Sequence, residues 1–145
     1  MADIFSKKKR SNIMSRIRSK GTAPEVRLCQ IVKELAGRRK VASHEKIAGV
    51  SVDLYVPSLK AAIFCDGCFY HVCPQHGHVP KSNKKYWAPK LARNKARDVK
   101  LRRELRRLGY AVWRVWEHGL VPSRVNYTAG RLKWLIADRK SELGV

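Results

Sequence analysis

The chain has 145 residues, a length that is enough for one compact domain with a core but hardly for two. Of these residues 44% are hydrophobic and 30% are charged, as in a globular protein. It contains 32 Lys and Arg against 11 Asp and Glu, and the formal net charge of +21 favours polyanionic partners because neutralised phosphates release condensed counterions. An apolar run of about 18 residues and an apolar signal core are both missing, which argues against membrane-spanning and secreted proteins and predicts a cytoplasmic protein at the nucleoid.

The first part of the chain is basic and has little core-forming pattern. Residues 1–20 are predicted to be either a disordered tail or an arm that lies along DNA, with Arg16 and Arg18 among its cations. Gly21 interrupts this segment. Residues 21–145 are predicted to form a single domain.

The pattern of the remaining chain predicts alternating helices and strands. The predicted elements are a helix from Thr22 to about Ala36, a strand over 50–56, a turn over 57–60, a strand over 61–65, a helix between Pro89 and Gly109, a strand over 110–117, and a helix from Pro122 to about Asp138. Residues 41–49 are loop-like, with room for one short strand. This order predicts a mixed α/β domain in which a hairpin is followed by a helical crossover to a further strand.

The crossover helix is predicted to have an apolar face and a strongly basic face. Its apolar stripe consists of Leu91, Ala92, Val99, Leu105 and Leu108. Lysines and arginines, Lys90 and Arg93 among them, line the opposite face, and we expect that face to hold a DNA backbone.

Asp53 lies in the middle of the strand 50–56, and alternation places it on the face opposite to the apolar residues. Those residues are Val52, Leu54 and Val56. Because an unpaired carboxylate is costly to bury, Asp53 either faces solvent, pairs with an arginine or binds a metal.

The register of the hairpin decides which residues lie near Asp53. A turn centred between residues 58 and 59 places Asp53 opposite Phe64 and brings Asp66 to the same face, close enough for the two carboxylates to share Mg²⁺. A slip of one residue brings Cys65 there instead. A carboxylate on one strand and a second ligand on the next is the arrangement of metal-dependent nucleases.

Segment 64–76 contains three cysteines, two histidines and two adjacent aromatic residues directly after a predicted strand. Clustered thiols in a reducing compartment indicate zinc more than disulfides. Cys68, Cys73 and His76 offer three of the four ligands that a tetrahedral site needs. The candidates for the fourth ligand are His78, Cys65, His71 and His118. The alternative is a set of free thiols with surface histidines.

Two residues have more than one interpretation at this stage. His71 is either a general acid or base or a zinc ligand, and spacing does not decide between them. Glu25 either closes a helix cap by accepting from the Thr22 amide, or lies near Asp53 and holds a metal-bound water.

Three aromatic residues lie in cation-rich loops. They are Phe69, Tyr70 and Trp87. They either cover the core or stack on bases and wedge between them. Wedging opens the duplex and costs on the order of a few kcal/mol for each unstacked step.

Several of these segments, in order over roughly residues 11–120, resemble the very short patch repair (Vsr) endonucleases. They are Met14–Lys20, Pro24-Glu25, Val52-Asp53, Asp66–His71, the Tyr86-Trp87 pair with Lys90, Arg93, Asn94 and Asp98, and Val115–Glu117. The resemblance implies a fold similar to type II restriction enzymes: a mixed sheet flanked by helices, with a structural zinc site. It also implies Mg²⁺-dependent nicking of duplex DNA on the 5′ side of the T in a T:G mismatch, which deamination of 5-methylcytosine produces.

The resemblance also implies roles for individual residues. It makes Asp53, His71 and Glu25 catalytic, which moves His71 from zinc binding to catalysis. The magnesium contacts would be Asp53 and Cys65, the latter through its backbone carbonyl, with Asp66 as the alternative. The implied zinc ligands are Cys68, Cys73, His76 and His118, with His78 as the alternative to His76. The implied DNA contacts are Phe69, Tyr70, Trp87, Lys90, Arg93, Asn94, Arg16 and Arg18.

Two other functions remain open on the sequence. One is a restriction or defence nuclease of the same fold that cuts a particular sequence without a mismatch. The other is a zinc-stabilised DNA-binding module without catalysis. A structural basic protein, for example a ribosomal one, would have no use for the clustered acid, histidine and thiol groups. We expect the protein to act as a monomer.

Overall fold

The computed structural model describes residues 6–15 and 20–145. Its helices are α1 (Lys7–Ser15), α2 (Ala23–Ala36), α3 (Lys84–Arg107) and α4 (Val125–Leu143), and its strands are β1 (Ala42–Ile47), β2 (Val50–Val56), β3 (Ala61–Asp66) and β4 (Ala111–Trp116). Arg16 and Arg18, which are predicted to contact DNA, lie outside the described residues. In the part of the chain that is described, each helix is too short or too polar to traverse a lipid bilayer.

The four strands form one mixed sheet in the order β1-β2-β3-β4. β1, β2 and β3 pair antiparallel, whereas β3 and β4 pair parallel through the crossover helix α3. The predicted hairpin followed by a crossover is therefore confirmed. For residues 41–49 the strand is the correct alternative; β1 lies at the edge of the sheet and carries mostly exposed polar side chains, which hide the strand pattern.

Helices cover both faces of the sheet. On one face α2 and α4 pack against the strands through a fully apolar cluster, which contains Leu28, Val32, Leu54, Val56, Ile63, Val115, Leu132 and Ile136. On the other face α3 packs on a smaller cluster, which contains Ile47, Val50, Val52, Ala62, Leu105 and Val112. The sheet is thus the middle layer, and its strand ends are left free to carry a site.

Helix α2 begins with the predicted Thr22 cap, but the Glu25 carboxylate bonds to the amide one residue earlier than predicted. Thr22 Oγ1 accepts from the Glu25 amide at 3.5 Å, as expected of a capping Thr. The Glu25 carboxylate, however, accepts from the Gly21 amide at 2.8 Å and not from that of Thr22. This bond fixes the Glu25 carboxylate at the N-terminal end of α2.

Helix α3 differs from its prediction in where it begins and in which side chains it buries. It begins at Lys84, so Pro89 lies within it rather than at its start. The predicted stripe is wrong at three positions, because Val99 and Leu108 are 42% and 40% exposed and Ala92 is exposed as well. The buried positions recur every seven residues and include an acid; they are Leu91, Asp98 and Leu105. A search for apolar periodicity misses this stripe because its central member is a carboxylate.

Strand β2 changes face in its middle, next to Asp53. Val52 packs in the α3-side cluster, whereas Leu54 packs in the cluster of α2 and α4, so the prediction that they share one face is wrong. The register of Leu54 with Ile63 is the predicted one. The alternation breaks at Asp53, whose β1 neighbour His44 has a left-handed φ of 54° and is missing from the β1–β2 ladder.

Shortening a core residue of β3 tests the layered packing. The Ile63 side chain is fully buried, with 0% exposure, in the cluster on the α2 and α4 face of the sheet. We expect Ile63→Ala to lower the free energy of unfolding by about 3 kcal/mol, because it removes buried methyl groups and leaves a cavity. Val99→Ala on the exposed side of α3 is the control and should change it by less than about 0.5 kcal/mol. Equal effects in urea titrations would contradict the layer assignment.

Candidate active site and metal centre

An open cleft of about 410 Å³ lies beside the C-terminal end of β3. Its lining includes all three residues predicted to be catalytic, Asp53, His71 and Glu25. They come from β2, from the loop after β3 and from the start of α2. The tertiary fold thus brings together side chains that are up to 46 positions apart in the sequence, from residue 25 to residue 71.

The Asp53 carboxylate occupies a gap in the sheet. The β2–β3 ladder ends at the pair Leu54–Ile63, and Asp53 Oδ2 accepts from the Cys65 amide at 2.8 Å. Burial raises the pKa of Asp53; the Cys65 amide opposes this shift, and the nearby Glu25 carboxylate adds to it. Among the described residues no Lys or Arg forms an ion pair with Asp53, and a partly buried carboxylate in these surroundings is a suitable ligand for a divalent cation.

A histidine that the sequence interpretation did not single out stands beside this carboxylate. Ligand atoms of Glu25, His44 and Asp53 all lie within 4.8 Å of one another. His44 Nε2 is 3.9 Å from Glu25 Oε2. Two carboxylates and an imidazole are a donor set that fits a divalent metal ion. The sequence does not point to His44, because it lies in the segment 41–49, whose pattern is loop-like.

Cys65 and Asp66 were the alternatives for the second magnesium contact. The Cys65 side chain packs against the core cluster of α2 and α4, and burial raises the pKa of its thiol far above the usual range. Asp66 is 3% exposed, and its carboxylate forms ion pairs with Arg114 and, at 3.6 Å, with Arg102. These contacts weigh against the thiol and the Asp66 carboxylate as ligands and leave the Cys65 backbone carbonyl.

His71 is held by a buried acid of α3. Its Nδ1 lies 2.6 Å from Asp98 Oδ2 and 3.8 Å from Asp66 Oδ1. Because a carboxylate can only accept, Nδ1 carries the proton of the short bond and Nε2 is left free to accept one. Asp98 was not among the predicted site residues. An acid inside a strongly basic helix, at seven-residue spacing from two leucines, is the signal that could have found it.

Arg114 of β4 connects the surroundings of His71 with the cysteine segment. It pairs with Asp66, lies 3.9 Å from Asp98 and places its guanidinium 4.1 Å from the centre of the Trp116 ring. The Trp116 ring is nearly parallel to that of His118, at 12° with centroids 6.4 Å apart. A continuous row of packed side chains therefore joins the cleft to His118.

Four side chains of the predicted zinc site converge. Cys68 Sγ and Cys73 Sγ lie 3.2 and 3.6 Å from His118 Nδ1, and Cys73 Sγ lies 3.9 Å from His76 Nδ1. All four ligand atoms are within 4.8 Å of one another. Ligand atoms around a tetrahedral zinc ion are about 3.3 to 3.8 Å apart, so the set fits this metal. His78 stays outside the set, with its Nδ1 3.5 Å from the His76 carbonyl oxygen.

The backbone around this cluster is adapted to bring its ligands close. The Cys68 amide donates to Glu117 Oε1 at 2.8 Å, and a Cβ on Gly77 would lie 2.6 Å from the Cys73 backbone, so only glycine fits there. Burial raises the pKa of Cys68 to about 11 and lowers the pKa of His118. A metal ion would therefore have to displace the thiol proton but would meet a neutral imidazole.

The three predicted wedge aromatics form one cluster next to the cleft. Phe69 contacts Tyr70 and Trp87 edge to face, with ring centroids 5.1 and 5.0 Å apart. All three rings are half-buried, so each keeps part of its surface in solvent. The edge-to-face packing makes the rings a rigid group that can be presented to DNA as one body.

The polar residues predicted to contact DNA differ in their surroundings. Lys90 Nζ donates to the Tyr86 hydroxyl at 3.0 Å and lies 5.3 Å from the centre of the Trp87 ring. Asn94 Nδ2 donates to the Tyr70 carbonyl at 3.2 Å, so Asn94 supports the aromatic loop. Arg93 is exposed on the neighbouring surface of α3.

Comparisons with known proteins identify the family of the chain. The family model described as DNA mismatch endonuclease Vsr matches residues 2–77. The type II nicking enzyme V.NaeI of Lentzea aerocolonigenes is 42% identical over 112 residues, which are 75% of this chain and 68% of that enzyme. The DNA mismatch endonuclease Vsr of Escherichia coli (strain K12) is 35% identical over 127 residues, covering 83% of this chain and 76% of that protein.

A solved structure shares the fold. The catalytic domain of the homing endonuclease I-Bth0305I superposes with a TM-score of 0.50 and covers 84% of this chain and 97% of that domain. At 20% identity this similarity concerns the fold alone, and it confirms a mixed α/β endonuclease fold. By the family match and its two relatives, this chain belongs to the DNA mismatch endonuclease Vsr family and is an endonuclease that acts on DNA.

Proposed function

We propose that this endonuclease uses Mg²⁺ to nick one strand of duplex DNA on the 5′ side of the T in a T:G mismatch. The observation that supports this most is the open cleft in which Asp53 and the His71–Asp98 pair face a shared space. A poorly compensated carboxylate and an oriented imidazole are the two protein groups that metal-assisted hydrolysis of a phosphodiester needs.

The magnesium ligands in this proposal are the Asp53 carboxylate and the Cys65 backbone carbonyl. Glu25 and His44 have ligand atoms within 4.8 Å of the Asp53 carboxylate, close enough to hold water molecules around the ion. When bound, Mg²⁺ stabilises the charge that develops on the phosphate and lowers the pKa of a bound water. The Cys65 amide holds one carboxylate oxygen of Asp53, so the side chain is oriented before any ion binds.

His71 moves the proton in the proposed reaction. Asp98 accepts from Nδ1 and fixes the ring, which leaves Nε2 to take a proton from the attacking water. Asp98 itself does not touch the substrate and is a positioning residue. Glu25, anchored by the Gly21 amide, orients a water molecule near Asp53.

The aromatic cluster supports the preference for a mismatch. Inserting Phe69, Tyr70 and Trp87 between base pairs costs roughly a few kcal/mol for each unstacked step. The cost is lower where the base pair is already weakened, as at T:G. Exposed Arg93 and half-buried Lys90 lie beside the rings and would hold the backbone. Arg16 and Arg18 remain predicted contacts of the N-terminal arm.

The Cys68, Cys73, His76 and His118 set is proposed to hold a structural zinc ion. Four protein ligands with no open position are typical of structural rather than catalytic zinc. Zinc there would tie the loop after β3, which carries Phe69, Tyr70 and His71, to His118 after β4. One active site cuts one strand, so we propose a monomer that works on chromosomal DNA in the cytoplasm.

A second candidate is nicking of a specific sequence without a mismatch. V.NaeI is named a type II nicking enzyme and is 42% identical to this chain, which favours this alternative. A DNA-binding module without catalysis is disfavoured, because the cleft brings Asp53, His71 and Asp98 together.

Nicking of a panel of duplexes tests the function. The wild type with Mg²⁺ should nick T:G duplexes at least about 100-fold faster than matched or other mismatched ones, whereas equal rates on a matched duplex would favour the second candidate. Asp53→Asn should lose at least about 100-fold in rate and still bind DNA, because only the metal ligand is lost. Asp138→Asn, an exposed aspartate of α4, is the control. Nicking without any divalent cation would rule out the metal mechanism.

Replacing Asp98 tests the orientation of His71. Asp98→Asn should lower kcat by about 100-fold with little change in KM, because the ring loses its acceptor while DNA contacts stay in place. Glu104→Gln, an exposed acid on the same helix, should leave both constants unchanged. If Asp98→Asn changed KM alone, Asp98 would have no role in positioning His71.

Replacing one cysteine tests the zinc proposal. Wild-type protein should contain about one zinc ion per chain, and Cys68→Ser should lose it and melt roughly 10 °C lower, because metal binding contributes to folding. Metal analysis and thermal unfolding measure both effects. Cys29→Ser is the matched control, since Cys29 lies outside the four-ligand set. If wild-type protein stripped of zinc melted at the same temperature as the zinc-containing protein, the proposal of a structural zinc ion would be refuted.

A further inference from the structure

The outer surface of α4 carries two large aromatic side chains in solvent. Tyr127 is 81% exposed and Trp134 is 65% exposed. They are seven residues apart, so they lie on the same side of the helix and about 10 Å apart along its axis. Within the described ranges neither ring packs against another aromatic side chain. Such exposure of two rings on one face is characteristic of a binding surface.

Cations accompany the two rings. Arg131 lies one turn from each of them, and Arg124 directly precedes α4. Over residues 6–15 and 20–145, no ion pair involves either guanidinium. Both arginines and Tyr127 line a cavity of about 270 Å³ between β4 and α4. We call Tyr127, Trp134, Arg124 and Arg131 the α4 platform.

The chemistry of the platform indicates its ligand. A second copy of a chain with a net charge of +21 would bring like charges together, so an anionic partner fits better. The backbone of duplex DNA needs only cations, because its bases are already stacked on each other. Unpaired bases, by contrast, offer faces to exposed rings, and the arginines beside the rings match the phosphates of such a strand.

We propose that the α4 platform binds single-stranded DNA, by stacking bases on Tyr127 and Trp134 and pairing phosphates with Arg124 and Arg131. The endonuclease activity of the family supplies such a ligand, because a nick leaves a strand end that can separate from its complement. The platform cavity is also lined by Gln75 and His118, which belong to the segments that connect to the His71 loop. The loop between β3 and α3 therefore contributes to both places, with His71 in the cleft and Gln75 in the platform cavity.

Equilibrium binding of an oligothymidylate of about 15 nucleotides tests the proposal, measured by fluorescence anisotropy at physiological salt without magnesium. The double variant Tyr127→Ala with Trp134→Ala should bind at least about tenfold more weakly, since each stacked base contributes on the order of 1–3 kcal/mol. Tyr127→Phe with Trp134→Phe keeps both rings and should bind as the wild type does. Leu143→Ala, on a different side of α4, is the second control.

The arginines should appear in the salt dependence. Replacing Arg124 and Arg131 with Gln should reduce the slope of log affinity against log salt by about 0.7 for each residue, as expected for single strands. Binding of a matched duplex should be unchanged in all these variants. Melting temperatures should also stay close to that of the wild type, because the altered side chains are on the surface.

Four results would overturn the proposal. They are unchanged oligothymidylate affinity in the double alanine variant, an equal loss of duplex binding, displacement of the oligonucleotide by polyglutamate as effectively as by unlabelled oligothymidylate, and a wild-type dimer that the alanine substitutions dissociate. Nicking of duplex DNA should be the same in the platform variants as in the wild type. Loss of nicking in Asp53→Asn is therefore independent, and either proposal can fail without the other.

Discussion

The hydrogen bond between the Asp53 carboxylate and the Cys65 amide is the contact on which the rest of the site depends. β2 and β3 stop pairing after Leu54 and Ile63, so a backbone amide is left without its ladder partner. The Asp53 side chain of β2 accepts the hydrogen bond from that amide instead. The exchange opens the sheet where β3 ends and fixes a carboxylate at the opening, which is the requirement for a metal site in a cleft.

His71, the other residue that we propose to be catalytic, is held by different parts of the fold. His71 belongs to a loop, but Asp98 of α3 binds its Nδ1, and the loop is joined to β4 through the cluster that contains His118. Parallel pairing of β3 with β4 brings the ends of both strands to the same edge of the sheet. The loop can therefore be precise without regular structure of its own, because two rigid elements restrain it.

Local chemistry made much of this predictable. The turn centred after Ser58 gave the correct register of the hairpin, and Thr22 gave the start of α2. Cys68 and Cys73 indicated the four-residue Cys and His cluster, because thiols are seldom clustered without a reason. The positions of Asp98 and His44 in the site were not predictable, since Asp98 lies in a helix rich in cations and His44 in an exposed edge strand. Their roles depend on neighbours that are distant in sequence.

The sequence by itself determined the order of the elements, the basic character of the surface, the aromatic loop and the residue types available for metal binding. Each of these is a property of short segments, whose hydrophobic period, turn residues and side-chain chemistry act locally. The tertiary structure alone decided that His76 rather than His78 joins the cysteines, that Asp66 is engaged by Arg114, and that Asp98 holds His71. These are choices among chemically equivalent groups, and only the packing of the helices on the sheet brings one of them within bonding distance.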